Sequence, residues 1–413
     1  MKIPLASLGL RQIDIIAAQR VLGSGKLTMG ENVAKFEELM AKYLRVKYFV
    51  MVNSGSSANL AIFEALLRPS KGESILKPGD GVLVPAVAWP TTIWPIIQLG
   101  LKPVFVDVSS DTMALDLEKA QSFLVPNSGI KAIFPIHPLG FSIDHFALTD
   151  FCKKNSLIQI NDVCESLGSW RNGIHAGVSG IASSFSFYFS HHITTMEGGG
   201  VATDSLNFAD DLRAIRSHGW SRDRSDVDVW SRDFEESLLT SGVSANQNKF
   251  QFITTGYNIR PMEIQAAIGI EQLKDLDKFV QKRREVAREV REILIGTCFD
   301  VVDGGTFKSH ETEEQHSWML LCIRVNKELN PTERAKIESQ LENFGIESRP
   351  VLTGNFLNQR AMKRIPGMPH GSEFPIAEEI SRKCFMVGSH HDLTEEQISY
   401  LGKSLRTIAE SLN

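Results

Sequence analysis

Long hydrophobic runs are missing from this chain of 413 residues. No window approaches the ~20 consecutive apolar residues that a bilayer-spanning helix requires, so a helical membrane anchor is excluded. The opening stretch MKIPLASLGLRQIDIIAAQRVLG interrupts its apolar residues with charges and lacks an apolar block ending at a small-residue cleavage site. No targeting peptide is expected, and the expected location is cytoplasmic. Cysteine is scarce: Cys152, Cys164, Cys298, Cys322 and Cys384 are odd in number and scattered, which argues against a disulfide framework and against a CxxC metal pair. Reduced, buried thiols are the expectation. Nor is there an excess of one charge. With 44 basic and 49 acidic residues interspersed, the net charge of −5 gives no basic face for nucleic acid or an anionic membrane. A phosphate-bearing ligand would have to be held locally. Internal repeats and low-complexity segments are also absent.

What is present is enough apolar residue, 42% of the chain, for more than one core, and two domains of unequal size are expected. From Phe49 to about Asp204, short apolar runs such as YFVMV, GVLVPAV, KPVFVDV, KAIFPIH and LIQIND alternate with helical stretches. Apolar strands separated by helices predict an α/β fold with a mainly parallel sheet covered on both faces. Ligands in such sheets sit beyond the carboxyl ends of the strands. The polar residues closing those runs are Asn53 to Ser57, Trp89, His137, Asp162 and Ser186 to His192. The polar, charge-mixed stretch Gly219 to Gly256 predicts a long loop over the site. PMEIQAAIGIEQLKDLDKFVQKRREVAREVREILIG then predicts one long helix or two linked end to end, leading into a smaller C-terminal α/β domain. In that domain WMLLCIRV and IESRPVL read as strands, and TEEQISYLGKSLRTIAESL as a final helix with a threonine N-cap and an acidic first turn. The expected division is an N-terminal arm over 1–30, a large domain over 31–277 and a small domain over 278–413.

Three motifs carry chemistry. Ser54-Gly55-Ser56-Ser57-Ala58-Asn59 lies between a strand and a helix, where free backbone N–H groups and hydroxyls can hold a phosphate, although a serine N-cap after a glycine turn reads the same way. Asp162 ends a buried strand, with Glu165 close behind. A buried carboxylate needs a partner, and either a cofactor pyridinium or the N-terminus of a following helix would serve. His191-His192 within FSFYFSHHITTMEGGG is a poor metal pair, because adjacent strand residues point to opposite faces, and no metal is expected.

In order and spacing, NSGSSANL, VPAVAWPTT, PVFVDV, INDVCESLG, FSFYFSHHITTMEGGGV and GYNIRPMEIQAAIGIEQL resemble the DegT/DnrJ/EryC1/StrS family of sugar aminotransferases, over essentially the whole chain. The resemblance implies the aminotransferase fold of type I and pyridoxal 5'-phosphate (PLP) or pyridoxamine 5'-phosphate (PMP) as cofactor. It implies Asp162 on the ring nitrogen, Gly55, Ser56 or Ser57 together with Ser186 on the phosphate, Trp89 stacked on the ring, and Glu165 close to the cofactor or orienting the sugar or glutamate. His218, Arg222 and Arg349 are implied to orient the sugar or a glutamate carboxylate. Asn258 in GYN resembles the residue that reaches the partner's cofactor phosphate, so a homodimer is implied.

One departure redirects the chemistry. The family's cofactor-bonding lysine lies five positions after the serine that Ser186 matches, and that position here is His191. No lysine stands between Lys154 and Lys249, so no shift of register supplies one. Imidazole cannot form the covalent link but exchanges protons near neutral pH. The resemblance then implies a noncovalent cofactor and removal of the C3 hydroxyl from a nucleotide-linked 4-keto-6-deoxyhexose, expected to be GDP-4-keto-6-deoxy-D-mannose. L-glutamate would regenerate PMP, and ammonia would be released. A histidine-containing branch with a [2Fe–2S] cluster is disfavoured because no cysteine lies between His191 and Cys298. An aminotransferase making an amino sugar and a non-catalytic sugar-nucleotide-binding regulator are the rival readings.

Overall fold

Both faces of the central strands are apolar, and the packing shows why. In the computed structural model, which describes the whole chain except Leu8, Ser142, 233–249, 305–314 and Asn413, β1 (Tyr48–Val52) sends Val50 and Val52 into one cluster of buried side chains and Phe49 and Met51 into another. A strand with period-two side chains and a core on each side must be apolar throughout.

The chain continues through β2 (Gly81–Pro85), β3 (Lys102–Val106), β4 (Ile130–Ile133) and β5 (Ile158–Asp162). A small hairpin of β6 (Trp170–Arg171) and β7 (Ile174–His175) precedes β8 (Ala182–Ser186) and β9 (Gly199–Thr203). The seven-stranded sheet has the order β1-β9-β8-β5-β4-β2-β3. Its pairs from β3 to β8 are parallel, and β9 is antiparallel to both neighbours, so β1 runs with the majority. The carboxyl ends of β1, β2, β4, β5 and β8 therefore share one edge, and β9 starts there. The expected mainly parallel α/β sheet is observed. Gly199 and Gly200 open β9 where an added Cβ would collide with the backbone of Ser54–Gly55 and with the Phe49 ring.

The predicted long helix is two, Glu263–Leu273 and Leu276–Leu294, and the second leads to an antiparallel sheet β10-β11-β13-β12. Its strands are β10 (Phe299–Val301), β11 (Leu320–Val325), β12 (Ser348–Arg349) and β13 (Cys384–Gly388). Two expected strands shorten. Trp318 adopts φ +46°, which keeps β11 from starting before Leu320, and Leu352 at φ +50° turns the chain after the two residues of β12. The final helix, Glu395–Glu410, has the expected cap: Thr394 Oγ1 accepts from Gln397 N, and Gln397 Oε1 accepts in return from Thr394 N. A single apolar cluster runs from β1 and β2 through Trp318 to Ile323 and on to Leu405 and Ile408.

The expected 219–256 loop departs from expectation in its described parts. A helical stretch spans 227–232, and Arg224 Nη1 donates to Asp211 while its Nε donates to Asp226. The charges that read as solvated loop are thus partners for each other; 233–249 lie outside the described residues. The N-terminal segment is held down by helix Glu263–Leu273. Glu263 accepts from Gly30 N, Asn32 N and Val33 N at 2.8–2.9 Å, capping helix Glu31–Leu44, which has no side-chain cap of its own. Among the described residues no helix is long and apolar enough to cross a membrane.

Burial lowers the pKa of His137, His191, His316 and His390 to about 4, and of His175 and His391 to about 3. The unfolded chain takes up protons near the ordinary value of about 6.5, whereas the folded one waits until about 4. These groups therefore stabilise the fold fully above about pH 6.5, and that contribution is lost as pH falls towards their folded pKa values. Thermal midpoints should drop steadily from pH 7 to pH 5 with net proton uptake on unfolding. A midpoint flat across that window would contradict the burial described here.

Candidate active site

The edge formed by the carboxyl ends of the strands opens into a cavity of about 110 Å³. Gly55, Ser56, Trp89, Asp162, Glu165, Ser186, His191 and Arg349 line it, joined by Asn59, Thr91, Thr92, Cys164, Tyr188, Ser190, Met319 and Leu352. Eight of the expected site residues, separated by up to 294 positions, thus meet in one place.

Helix Gly55–Leu67 points its N-terminus into the cavity, and Ser54 caps it by accepting from Ser57 N at 3.1 Å. The first-turn N–H groups of Gly55 and Ser56 have no carbonyl one turn back, so this end favours an anion. A Cβ on Gly55 would lie 2.6 Å from Ser186 Cβ and 3.0 Å from Cys164 Sγ, so the close approach requires glycine. Ser56 Oγ donates to Thr91 Oγ1 at 2.8 Å. Ser57 stands behind the wall, its hydroxyl donating to Asn53 Oδ1 at 2.6 Å. The serine cap is present, and the helix end it caps faces the cavity.

Asp162 is 4% exposed and does not cap a following helix. Its Oδ2 accepts from Thr92 Oγ1 at 2.7 Å and Asn59 Nδ2 at 3.0 Å, and its Oδ1 accepts from Cys164 N at 3.1 Å. These donors hold the carboxylate in place beside the cavity. Trp89 remains 47% exposed as the residue preceding helix Pro90–Gln98, leaving its indole face available at the rim. Glu165 accepts from Leu139 N at 2.9 Å, and its pKa is raised by burial against the opposing pull of that bond and of Arg349. Cys164, expected to be an ordinary buried thiol, lines the cavity, where burial first and then the Asp162 charge push its pKa well up. It stays a thiol rather than a nucleophilic thiolate.

His191 follows β8 in a turn rather than on a strand, so the alternating-face argument does not apply to it. The outcome is nonetheless divergent: His191 Nδ1 meets Cys164 O at 2.6 Å, while His192 Nε2 meets Ser317 O at 3.1 Å. A carbonyl only accepts, so His191 Nδ1 carries the proton and Nε2 keeps its lone pair. Burial, then the positive charges of Arg349 and Arg283, hold the His191 pKa at about 4, against the opposing effect of the Cys164 carbonyl. The ring is a neutral base at neutral pH.

The remaining expected residues lie elsewhere in the single chain. Arg222 and Asn258 line a second, open recess with Thr28, Met29, Arg260, Pro261 and Met262. His218 is exposed at φ +66° and lines neither space. Sequence reasoning missed Asn59 and Thr92. Asn59 stands in the quoted NSGSSANL motif and Thr92 in VPAVAWPTT, but nothing in either motif says that both turn to Asp162.

An anion-accepting helix end, a fixed carboxylate, an indole face and a neutral imidazole suit a phosphorylated pyridine cofactor, and Arg349 Nε, buried without a partner among the described residues, is left for a further acceptor. The comparisons agree. The chain is 37% identical over 403 residues to a GDP-4-keto-6-deoxy-D-mannose 3-dehydratase of Yersinia pseudotuberculosis, covering 98% of each. Among solved structures, the Escherichia coli GDP-4-keto-6-deoxy-D-mannose 3-dehydratase with bound hydrated PLP matches with a TM-score of 0.86 at 34% identity, covering 98% of this chain and 99% of that one. A GDP-4-keto-6-deoxymannose 3-dehydratase with a trapped PLP–glutamate geminal diamine matches with a TM-score of 0.84 at 34% identity, covering 98% and 100%. The profile of the DegT/DnrJ/EryC1/StrS aminotransferase family spans residues 10–406, and the chain belongs to that family.

Proposed function

We propose that this protein is a PLP/PMP-dependent 3-dehydratase acting on a nucleotide-linked 4-keto-6-deoxyhexose, GDP-4-keto-6-deoxy-D-mannose, in the biosynthesis of dideoxysugars of the colitose type for lipopolysaccharide O-antigen. The carrying observation is His191, with Nδ1 committed to Cys164 O and Nε2 facing the cavity where family members place a lysine.

When bound, the cofactor supplies an amine that condenses with the C4 ketone and a pyridinium ring that delocalises the electron pair freed beside it. The chain's own residues do the rest. The carboxylate of Asp162 pairs with the ring nitrogen. The first-turn N–H groups of Gly55 and Ser56 and the hydroxyl of Ser186 hold the phosphate, Trp89 covers the ring, and Glu165 stays close to it. His191 Nε2 takes a proton and returns it to the departing C3 hydroxyl, which leaves as water. Hydrolysis then gives the 3-deoxy-4-keto sugar and ammonia, and L-glutamate restores the amine as it becomes 2-oxoglutarate. Arg349 suits the glutamate carboxylate, because its Nε has no partner among the described residues.

The reading includes a homodimer in which Asn258, with His218 and Arg222, serves the partner's site. Support comes from their absence from the lining of the His191 cavity and from exposed aromatics in the same stretch: Phe250 is 61% and Phe252 58% exposed, with Phe250 stacked on Trp220 at 5.2 Å. It also includes the division at 277/278 between a cofactor domain and a smaller domain, supported by the two separate sheets. A cytoplasmic setting fits the five unpaired cysteines.

Incubation with GDP-4-keto-6-deoxymannose, PLP and L-glutamate should yield a sugar nucleotide lighter by one oxygen, with ammonia released. An amino-sugar product without ammonia refutes the dehydratase. His191→Asn should lower turnover by about 10²- to 10⁴-fold while retaining the cofactor. Gly55→Ala should weaken PLP binding about tenfold or more, because the new methyl meets Ser186 Cβ; titration of cofactor absorbance checks it. Light scattering should give twice the chain mass, and Asn258→Ala should weaken cofactor retention in that dimer.

A further inference from the structure

Arg283, on helix Leu276–Leu294, is 2% exposed and among the largest fully buried side chains of the molecule. A buried cation is costly unless its donors are met, and here the acceptors are carbonyls rather than a carboxylate. Nη1 donates to Met319 O at 2.6 Å and Trp318 O at 3.4 Å, and Nη2 donates to His191 O at 3.4 Å. His191 and Met319 both line the cavity. The Trp318 carbonyl is itself fixed by Ser389 Oγ at 2.7 Å. One rigid fork thus joins the turn after β8 to the strand entering the second sheet, behind the cavity wall.

We propose that Arg283 is a positioning residue for the proton-transfer chemistry: from outside the cavity it holds the backbone of His191 and Met319 in one frame, so that His191 Nε2 keeps its place. This rests on the reading of His191 as the proton carrier. A lysine could reach one carbonyl but could not span both with a planar fork, and a neutral side chain would in addition remove a charge.

The charge has its own consequence. Arg349 from β12, Asp162 from the end of β5, Glu165 from the segment after it, and Tyr188 and His192 from its own turn surround His191, with Arg283 behind it. Arg283 in turn faces His192, His390, His391 and Asp392. After burial, Arg283 is the next cause holding His192, His390 and His391 below the ordinary range. Burial, Arg349 beside His191 and Arg11 beside His391 also keep the cluster neutral, so removing Arg283 lifts the imidazoles part of the way towards their ordinary value.

The test follows the glutamate half-reaction of the full-length holoenzyme by absorbance as PLP becomes PMP, from about pH 3.5 to pH 9, so that the limb set by His191 is in range and no sugar substrate is needed. Arg283→Gln should slow this step about tenfold or more, with the apparent glutamate affinity within about twofold, and should move the acid limb up by about half a pH unit or more. Arg283→Lys should also be slower but keep the acid limb near that of the unmodified protein, and it carries the test if the glutamine variant does not fold. Normal rate and limb in Arg283→Gln, or an equal limb shift in both variants, overturns the proposal. His191→Asn run in parallel separates the two readings. If it reacts normally, His191 carries no proton in the glutamate half-reaction and this inference falls, while its role on the sugar is judged by the product formed from the sugar nucleotide; if it is slow while Arg283→Gln is normal, only Arg283 is refuted.

Discussion

A buried carboxylate must be satisfied where it stands, and Asp162 is satisfied by three donors from different parts of the chain. Asn59 comes from the helix after β1, Thr92 from the helix after β2, and Cys164 N from the turn after β5 itself. Losing one donor would leave charge uncompensated at 4% exposure, so these elements cannot drift apart independently. The helix end for an anion, the indole at the rim and the carboxylate keep their relative positions because Asp162 ties together the elements that carry them.

His191 depends on this frame at one remove. Its Nδ1 is held by the carbonyl of Cys164, and the N–H of that same residue donates to Asp162. The Asp162 carboxylate and the basic Nε2 are thus linked through a single residue's backbone, with Arg283 holding the other side of the histidine turn. A histidine in the place of the family lysine leaves the scaffold undisturbed, since the strands, the glycine contacts and the Asp162 donors do not involve that side chain.

Much of this was legible in the chain. Apolar, β-branched runs separated by helices specified the parallel sheet because both faces of those strands are buried, and the polar residues ending them fell at its carboxyl edge. Shorter elements were misjudged where backbone turns overrode side-chain pattern: Trp318 and Leu352 sit at positive φ and cut two strands short. In the charged 219–232 stretch, Arg224 finds Asp211 and Asp226, which composition alone reads as solvation.

By itself the sequence determined the fold class, because local periodicity reports burial directly; through the resemblance of its motifs it determined the family, and with it the absence of a lysine near position 191 and the imidazole that stands there. Only the tertiary structure decided which nitrogen of His191 is basic, that Glu263 caps a helix about 230 positions earlier, that Arg283 braces the cavity wall, and that Asn258 and Arg222 lie apart from that cavity within one chain. The physical reason is that hydrogen-bond partners across large sequence separations are chosen by packing, and neither periodicity nor composition encodes which groups packing will bring within 3 Å.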